Sequence, residues 1–213
     1  MAELSPAQVW ADMERGNERF VAGDPLHPRQ DVERREELAA AQHPTAALFG
    51  CSDSRLAAEI IFDKGLGDLF VIRNAGQVIS DSVLGSIEYA VAVLQVPLII
   101  VLGHDECGAV RAAIDSEQPD AVALPPHIAH LIAPIRPAVR RVVAAAGLGA
   151  ADLPDASEVG REHLRDTVGE LLEKSELISA AVAAGTLGIV GANYRLAEGR
   201  VVPDVMIGSL ATS

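Results

Sequence analysis

Residues 97–103, Pro-Leu-Ile-Ile-Val-Leu-Gly, belong to a set of short apolar runs that alternate with helical periods, and this alternation constrains the fold more than any other property of the chain. The other early runs are residues 45–50, Thr-Ala-Ala-Leu-Phe-Gly, and 68–73, Asp-Leu-Phe-Val-Ile-Arg. Runs of this length read as buried strands. Helical patterns follow them at residues 56–62, 82–95 and from Cys107 onward, then at about 126–146 and 157–184. Strand and helix in turn imply βαβ units, so the predicted fold class is α/β, a mostly parallel β-sheet flanked by helices. The closing segment, Thr186 to Val205, reads as a strand and return strand about Glu198-Gly199, a hairpin-like pair. At the other end, Ser5-Pro6-Ala7-Gln8 is a capping box with proline at the first helical position. It predicts a helix ended by Gly23-Asp24-Pro25, with a second, charged helix over 31–41. No repeat or linker divides the 213 residues, so they are read as one domain with an N-terminal helical arm at 1–42.

The composition narrows the partners. A net charge of -13 repels phosphate backbones and anionic membranes, and no cluster of Lys and Arg overrides it, so nucleic acid is not an expected partner. The N-terminus lacks a basic region followed by an apolar one, and no uninterrupted apolar stretch is long enough to span a bilayer. The expected address is cytoplasmic, without membrane association. A 49% hydrophobic content with only 3% aromatics predicts a core of Ala, Val, Ile and Leu, with some apolar surface left to bury between subunits. Two cysteines, Cys51 and Cys107, allow one disulfide at most, so metal binding or redox chemistry is the better question.

Two of the predicted strands run straight into polar clusters. Residues 45–50 lead to Cys51-Ser52-Asp53-Ser54-Arg55, and 97–103 lead to His104-Asp105-Glu106-Cys107-Gly108. In an open parallel sheet, ligands collect beyond the carboxyl ends of the strands, where the winding reverses, so both clusters are expected at one site. Together they offer two thiols and an imidazole, a donor set used by catalytic zinc with the fourth tetrahedral position open. The gap in His104-x-x-Cys107 suits a strand-to-helix turn, with Cys51 arriving from the neighbouring strand. Two thiolates cancel the charge of a dication, so nearby hydrogen bonds have to help acidify water on it. Asp53 and Arg55, two apart, share a face of an extended segment and can pair directly. On the residues alone, plainer readings stand beside these: a cysteine at a strand end as a small buried hydrophobe, and Asp53-Arg55 as a structural ion pair.

The paired motifs resemble the zinc signature of the β-class carbonic anhydrases. The resemblance extends to Gly-Asn-Glu-Arg-Phe at 16–20, to 67–76, to Gly-Ser-Ile-Glu-Tyr-Ala-Val at 85–91 and to 101–110, and so covers most of the chain. It implies one zinc per chain held by Cys51, His104 and Cys107, and reversible hydration of carbon dioxide to bicarbonate and a proton by zinc-bound hydroxide. Asp53, oriented by Arg55, would accept a hydrogen bond from the water on zinc. Gln42 matches a glutamine that contacts substrate in plant-type members, and the backbone N–H of Gly108 would offer a further donor. Phe70 and Tyr89 match residues on the apolar side of the pocket, partly from a second subunit, although by sequence alone both read as core and Gln42 as a surface residue at a helix end. A homodimer is the minimum assembly implied, with the arm embracing a partner.

Two departures bear on the resemblance. Some bacterial members use a tryptophan three residues before the first cysteine to hold an inhibitory bicarbonate, and here that position is Leu48. With Gln42 present, the expected form is the open, plant-like one with Arg55 paired to Asp53, the alternative being a closed state with Asp53 as fourth ligand. Ala75 also stands where bulkier aliphatics are usual. The competing functions are a carbonyl sulfide or carbon disulfide hydrolase on the same scaffold, and a non-catalytic zinc or dithiol protein.

Overall fold

The computed structural model describes residues 4–149 and 152–210. In chain order the elements are α1 (Pro6–Ala22), α2 (Val32–Glu37), β1 (Ala46–Cys51), α3 (Ala58–Ile61), β2 (Leu69–Asn74), α4 (Asp81–Ala92) and β3 (Leu98–His104). There follow α5 (Gly108–Asp115), α6 (Pro126–Ile132), a 3-10 turn (Ala133–Ile135), α7 (Arg136–Ala146), α8 (Ala156–Lys174), α9 (Glu176–Ala183), β4 (Gly188–Arg195) and β5 (Arg200–Ile207). The strands form a five-stranded sheet in the order β2-β1-β3-β4-β5. All neighbours are parallel except β4 and β5, which pair antiparallel as the closing hairpin. The predicted α/β class, with its mostly parallel sheet between helices, is therefore the observed one. No helix among the described residues is long and apolar enough to cross a membrane.

The two central strands, β1 and β3, are buried along their whole length, as expected for parallel strands covered on both faces. Alternate side chains enter two apolar layers. Leu48, Ile100 and Val190 meet residues of α1, α5 and α7, while Phe49, Ile99 and Ile189 meet residues of α4, α8 and α9. Both layers are mainly aliphatic, as the low aromatic content demands.

Helix α1 opens with the predicted capping box, Ser5 and Gln8 bonding each other's backbone N–H groups. Its buried stripe is Val9, Trp10, Met13, Gly16 and Asn17, which lies on its own chain against α3, β3 and β5. Gly16 and Asn17 complete a stripe that looks broken when only apolar residues are counted. After Gly23 the chain continues as an irregular strap, with His27 and Arg29 at positive φ. Asp63 accepts from Arg19 Nε (2.6 Å) and from the backbone of Leu26 and His27, and Asp68 receives the Arg29 guanidinium. The charged helix is shorter than predicted, and none of its residues is buried. The single helix expected over 157–184 is two helices. Buried Ser175 breaks it, its hydroxyl capping α9 at Ile178 N and donating to Glu88 Oε1 on α4.

Candidate metal centre

The strand order reverses beside β1, since the chain passes from β1 outward to β2 and then back across β1 to β3. The register sets Gly50 beside Leu102, which brings the carboxyl ends of both strands to one level. Cys51 is the last residue of β1, His104 the last of β3, and Cys107 caps α5. The ligand atoms of these three buried residues lie within 4.8 Å of one another.

The local hydrogen bonding prepares each donor. The His104 Nδ1 sits 2.7 Å from the Asp105 carbonyl oxygen, which can only accept, so Nδ1 carries the proton and Nε2 keeps its lone pair. Nε2 is buried and has no hydrogen-bond partner among the described residues, as a ligand atom should be before its ion arrives. Contact with the Cys107 thiol pushes the pKa of the Cys51 thiol down to about 4, well below that of a free thiol. His104 and the backbone N–H groups of Gly76 and Asp53 act in the same sense. The same contact, together with burial, drives Cys107 upward, against the N–H groups of Ala109 and Val110 at the start of α5. One proton thus leaves the thiol pair readily and the second only when a cation compensates it, the behaviour of a thiolate metal site. The residues present therefore fit a zinc ion with three protein donors and one open position.

Beside this trio, Arg55 grips Asp53 through two bonds, Nε to Oδ1 at 2.9 Å and Nη2 to Oδ2 at 2.7 Å. The Arg55 backbone N–H also reaches Oδ1 (2.9 Å), and Nη2 reaches the Glu106 carbonyl (3.1 Å), tying the two clusters together. The Arg55 hydrogen bonds hold the Asp53 carboxyl far below the usual carboxylate range, with burial opposing them. Arg73 at the end of β2 holds the same loop from behind, donating to the carbonyls of Cys51 (2.9 Å) and Asp53 (2.6 Å).

Gly108 begins α5 next to Cys107, with open space above its Cα. Its N–H belongs to the first turn of the helix, where backbone donors have no partner within the helix. Three other candidates do not join the trio within one chain. Phe70 lies four register positions before Asn74, the partner of Cys51, or about 13 Å along the strand, and packs on half-exposed Tyr89 with ring centres 6.1 Å apart. Gln42 is exposed between α2 and β1 and makes no hydrogen bond among the described residues. Leu48 is buried in β1, and Ala75 is exposed in the turn after β2.

Four residues of the site carry no metal-ligand motif: Arg73, Asn74, Gly76 and His163. The first three lie within the 67–76 stretch that the sequence marked only by resemblance. His163 is a single histidine on a polar helix, and nothing near it in sequence shows its partner.

Residues 46–201 match the family model described as carbonic anhydrase. Carbonic anhydrase 2 of Mycobacterium tuberculosis is 50% identical over 215 residues, which span 99% of this chain and 98% of that protein. The carbonic anhydrase of Mycolicibacterium smegmatis is 50% identical over 202 residues, 94% of each. Among solved structures, the β-carbonic anhydrase of Coccomyxa in complex with acetazolamide matches with a TM-score of 0.69 at 26% identity, over 98% of this chain and 90% of that one.

Proposed function

The chain belongs to the β-carbonic anhydrase family, and from that premise we propose that it interconverts carbon dioxide and bicarbonate at the site between β1 and β3, with one zinc held by Cys51, His104 and Cys107. The observation that carries this reading is the convergence of the three donors beside a carboxylate fixed by a two-pronged arginine. When bound, zinc would supply Lewis acidity and lower the pKa of water at its open position. The best-known zinc site of this activity is built from three histidines, so its constants do not transfer to two thiolates and one imidazole.

The protein's own groups have separable tasks. Asp53, ionised throughout the neutral range, accepts a hydrogen bond from the attacking water and aligns its lone pair. Its low pKa makes it a poor base, so it orients the water and does not store the proton, which passes to solvent or buffer. Arg55 keeps the carboxylate in place and away from the metal, the open arrangement. The Gly108 N–H at the start of α5 meets the oxygen on which negative charge develops.

Carbon dioxide needs an apolar wall, and the group at the strand ends of one chain is largely polar. We assign that wall to Phe70 and Tyr89 of a second subunit, and a bicarbonate contact to Gln42, which explains why all three lie away from their own chain's trio with exposed surface. The arm's contact with a partner then falls to the strap and α2, where Leu26 and Val32 are exposed, since α1 is engaged with its own sheet. A homodimer is the smallest assembly that completes the site.

Stopped-flow measurement on purified, metal-analysed protein tests this reading. Carbon dioxide hydration at mildly alkaline pH is expected, inhibited by acetazolamide, the compound bound by the Coccomyxa relative. No hydration by protein with one zinc per chain would overturn it and favour the non-catalytic zinc reading.

A further inference from the structure

Cys107 and Cys51 are supported differently. Cys107 stands at the N-cap of α5, beside the first backbone N–H groups of the helix, whereas Cys51 ends a strand and has no helix behind it. Its sulfur receives the backbone N–H of Gly76 at 3.3 Å, from a turn 25 residues away.

That turn is unusual and is held from several sides. Gly76 and Gln77 both have positive φ, +81° and +41°, and a β-carbon at Gly76 would stand 2.8 Å from Ala109 Cβ and 3.1 Å from Ile135 Cδ1. Only glycine fits there, and a side-chain-bearing residue at φ near +41° is strained. Asn74 fixes the far end of the turn through the N–H and carbonyl of Val78 (2.9 and 2.7 Å). From α8, Thr167 reaches the Gln77 carbonyl (3.4 Å) and His163 Nε2 reaches the Gly76 carbonyl (2.7 Å).

His163 is 3% exposed, and burial keeps its imidazole neutral. A carbonyl only accepts, so the ring proton must be on Nε2, and Nδ1 has no hydrogen-bond partner among the described residues. A buried ring with one nitrogen left unmatched is costly, which a purely packing role does not require. On the other side of the same residue's Cα, the Gly76 N–H points at a metal-ligand sulfur.

We propose that His163 is a positioning residue for the metal centre: it clamps the Gly76 carbonyl and so fixes the backbone of that residue with its N–H donated to the Cys51 sulfur, which tempers how strongly that sulfur donates to the metal. This rests on the reading of Cys51 as a zinc ligand. An N–H···S bond draws electron density from the thiolate, so less of the metal's charge is cancelled and its Lewis acidity is preserved. The cost of two thiolates in one site is offset in this way at Cys51 by the turn, as it is at Cys107 by the helix.

The test uses readouts independent of carbon dioxide hydration. His163→Met keeps bulk and removes the donor, and His163→Gln restores an N–H of similar reach. The methionine protein is expected to bind zinc about 10-fold more weakly in a chelator competition, the size typical for loss of a partner behind a metal ligand. Its cobalt-loaded form should show the sulfur-to-metal charge-transfer band at longer wavelength, with both effects reversed by glutamine. A folded methionine protein with unchanged affinity and band overturns the proposal. Should that protein not fold, the cadmium-113 form of the wild type decides. The Gly76 amide should show coupling to the metal through the hydrogen bond, with the His163 ring protonated at Nε2. Absence of the coupling, or a proton on Nδ1 instead, overturns the assignment. Loss of zinc binding in the wild type would sink the zinc reading itself, so the two failures are distinct.

Discussion

At the scale of single residues, the proposed function divides the site into groups that would hold a metal and groups that would handle water. Asp53 is the clearest of the second kind, because its carboxylate is committed to Arg55 and sits beside the trio without belonging to it. Asp53→Asn keeps the shape but replaces one acceptor oxygen with a donor, so the attacking water loses its alignment. Turnover is expected to fall by about 100-fold or more, with zinc content by metal analysis unchanged. Since the carboxyl is held far below the usual range, it is charged throughout neutral pH, and the ratio of variant to wild-type rates should be flat there. A variant with near-normal turnover would remove Asp53 from the mechanism. The three donors were legible in the sequence because Cys51 and His104 each stand directly after an apolar run and Cys107 follows three residues after His104. Gly76 and His163 were not, because their link is a backbone carbonyl met by a side chain 87 residues later, and no local pattern encodes such a meeting.

At the scale of elements, hydrophobic periodicity located every strand, since β1 and β3 are buried on both sides and carry unbroken apolar runs. It failed where polar residues or glycine do the packing. Ser175 splits the helix predicted over 157–184 because a buried hydroxyl there caps α9 and bonds Glu88. In α1, the stripe is finished by Asn17, whose amide bridges the carbonyls of Ile61 and Gly199 and the N–H of Val201, and by Gly16. A β-carbon at Gly16 would stand 1.9 Å from the Phe62 carbonyl oxygen, so α1 and α3 approach closer than any other residue permits. Helix propensity favours alanine over glycine by about 1 kcal/mol, and the clash should outweigh it. Gly16→Ala is therefore expected to lower stability in urea by about 2 kcal/mol. Gly169→Ala, on α8 with open space around its Cα, should instead raise it by up to about 1 kcal/mol. Equal effects at the two positions would show that α1 moves freely to accommodate a methyl group.

At the scale of the whole molecule, the sheet places the site where its winding reverses, and the N-terminal strap is tied to that body mainly by charge. Asp63 is the central tie: its side chain is 1% exposed, yet it carries three donors, from Arg19, Leu26 and His27. Burial opposes its charge, but the two backbone N–H groups and Arg19 outweigh this and leave its pKa lowered. A carboxylate with a depressed folded pKa contributes stability that is fully present above its unfolded value, about 3.9, and is lost as pH falls through the folded one. Asp63→Asn is accordingly expected to cost about 2 kcal/mol at neutral pH, the worth of hydrogen bonds to a charged acceptor. The gap between the two proteins should narrow only once the pH drops below about 4. Acid also neutralises the many other carboxylates of this chain of net charge -13, but that change is common to both proteins and cancels in their difference. Urea midpoints compared across pH at a constant denaturant slope measure the gap directly. A gap that stays constant into acid would assign the tie to the shape of the Asp63 side chain, and a gap that widens would mean that its folded pKa is raised instead of lowered.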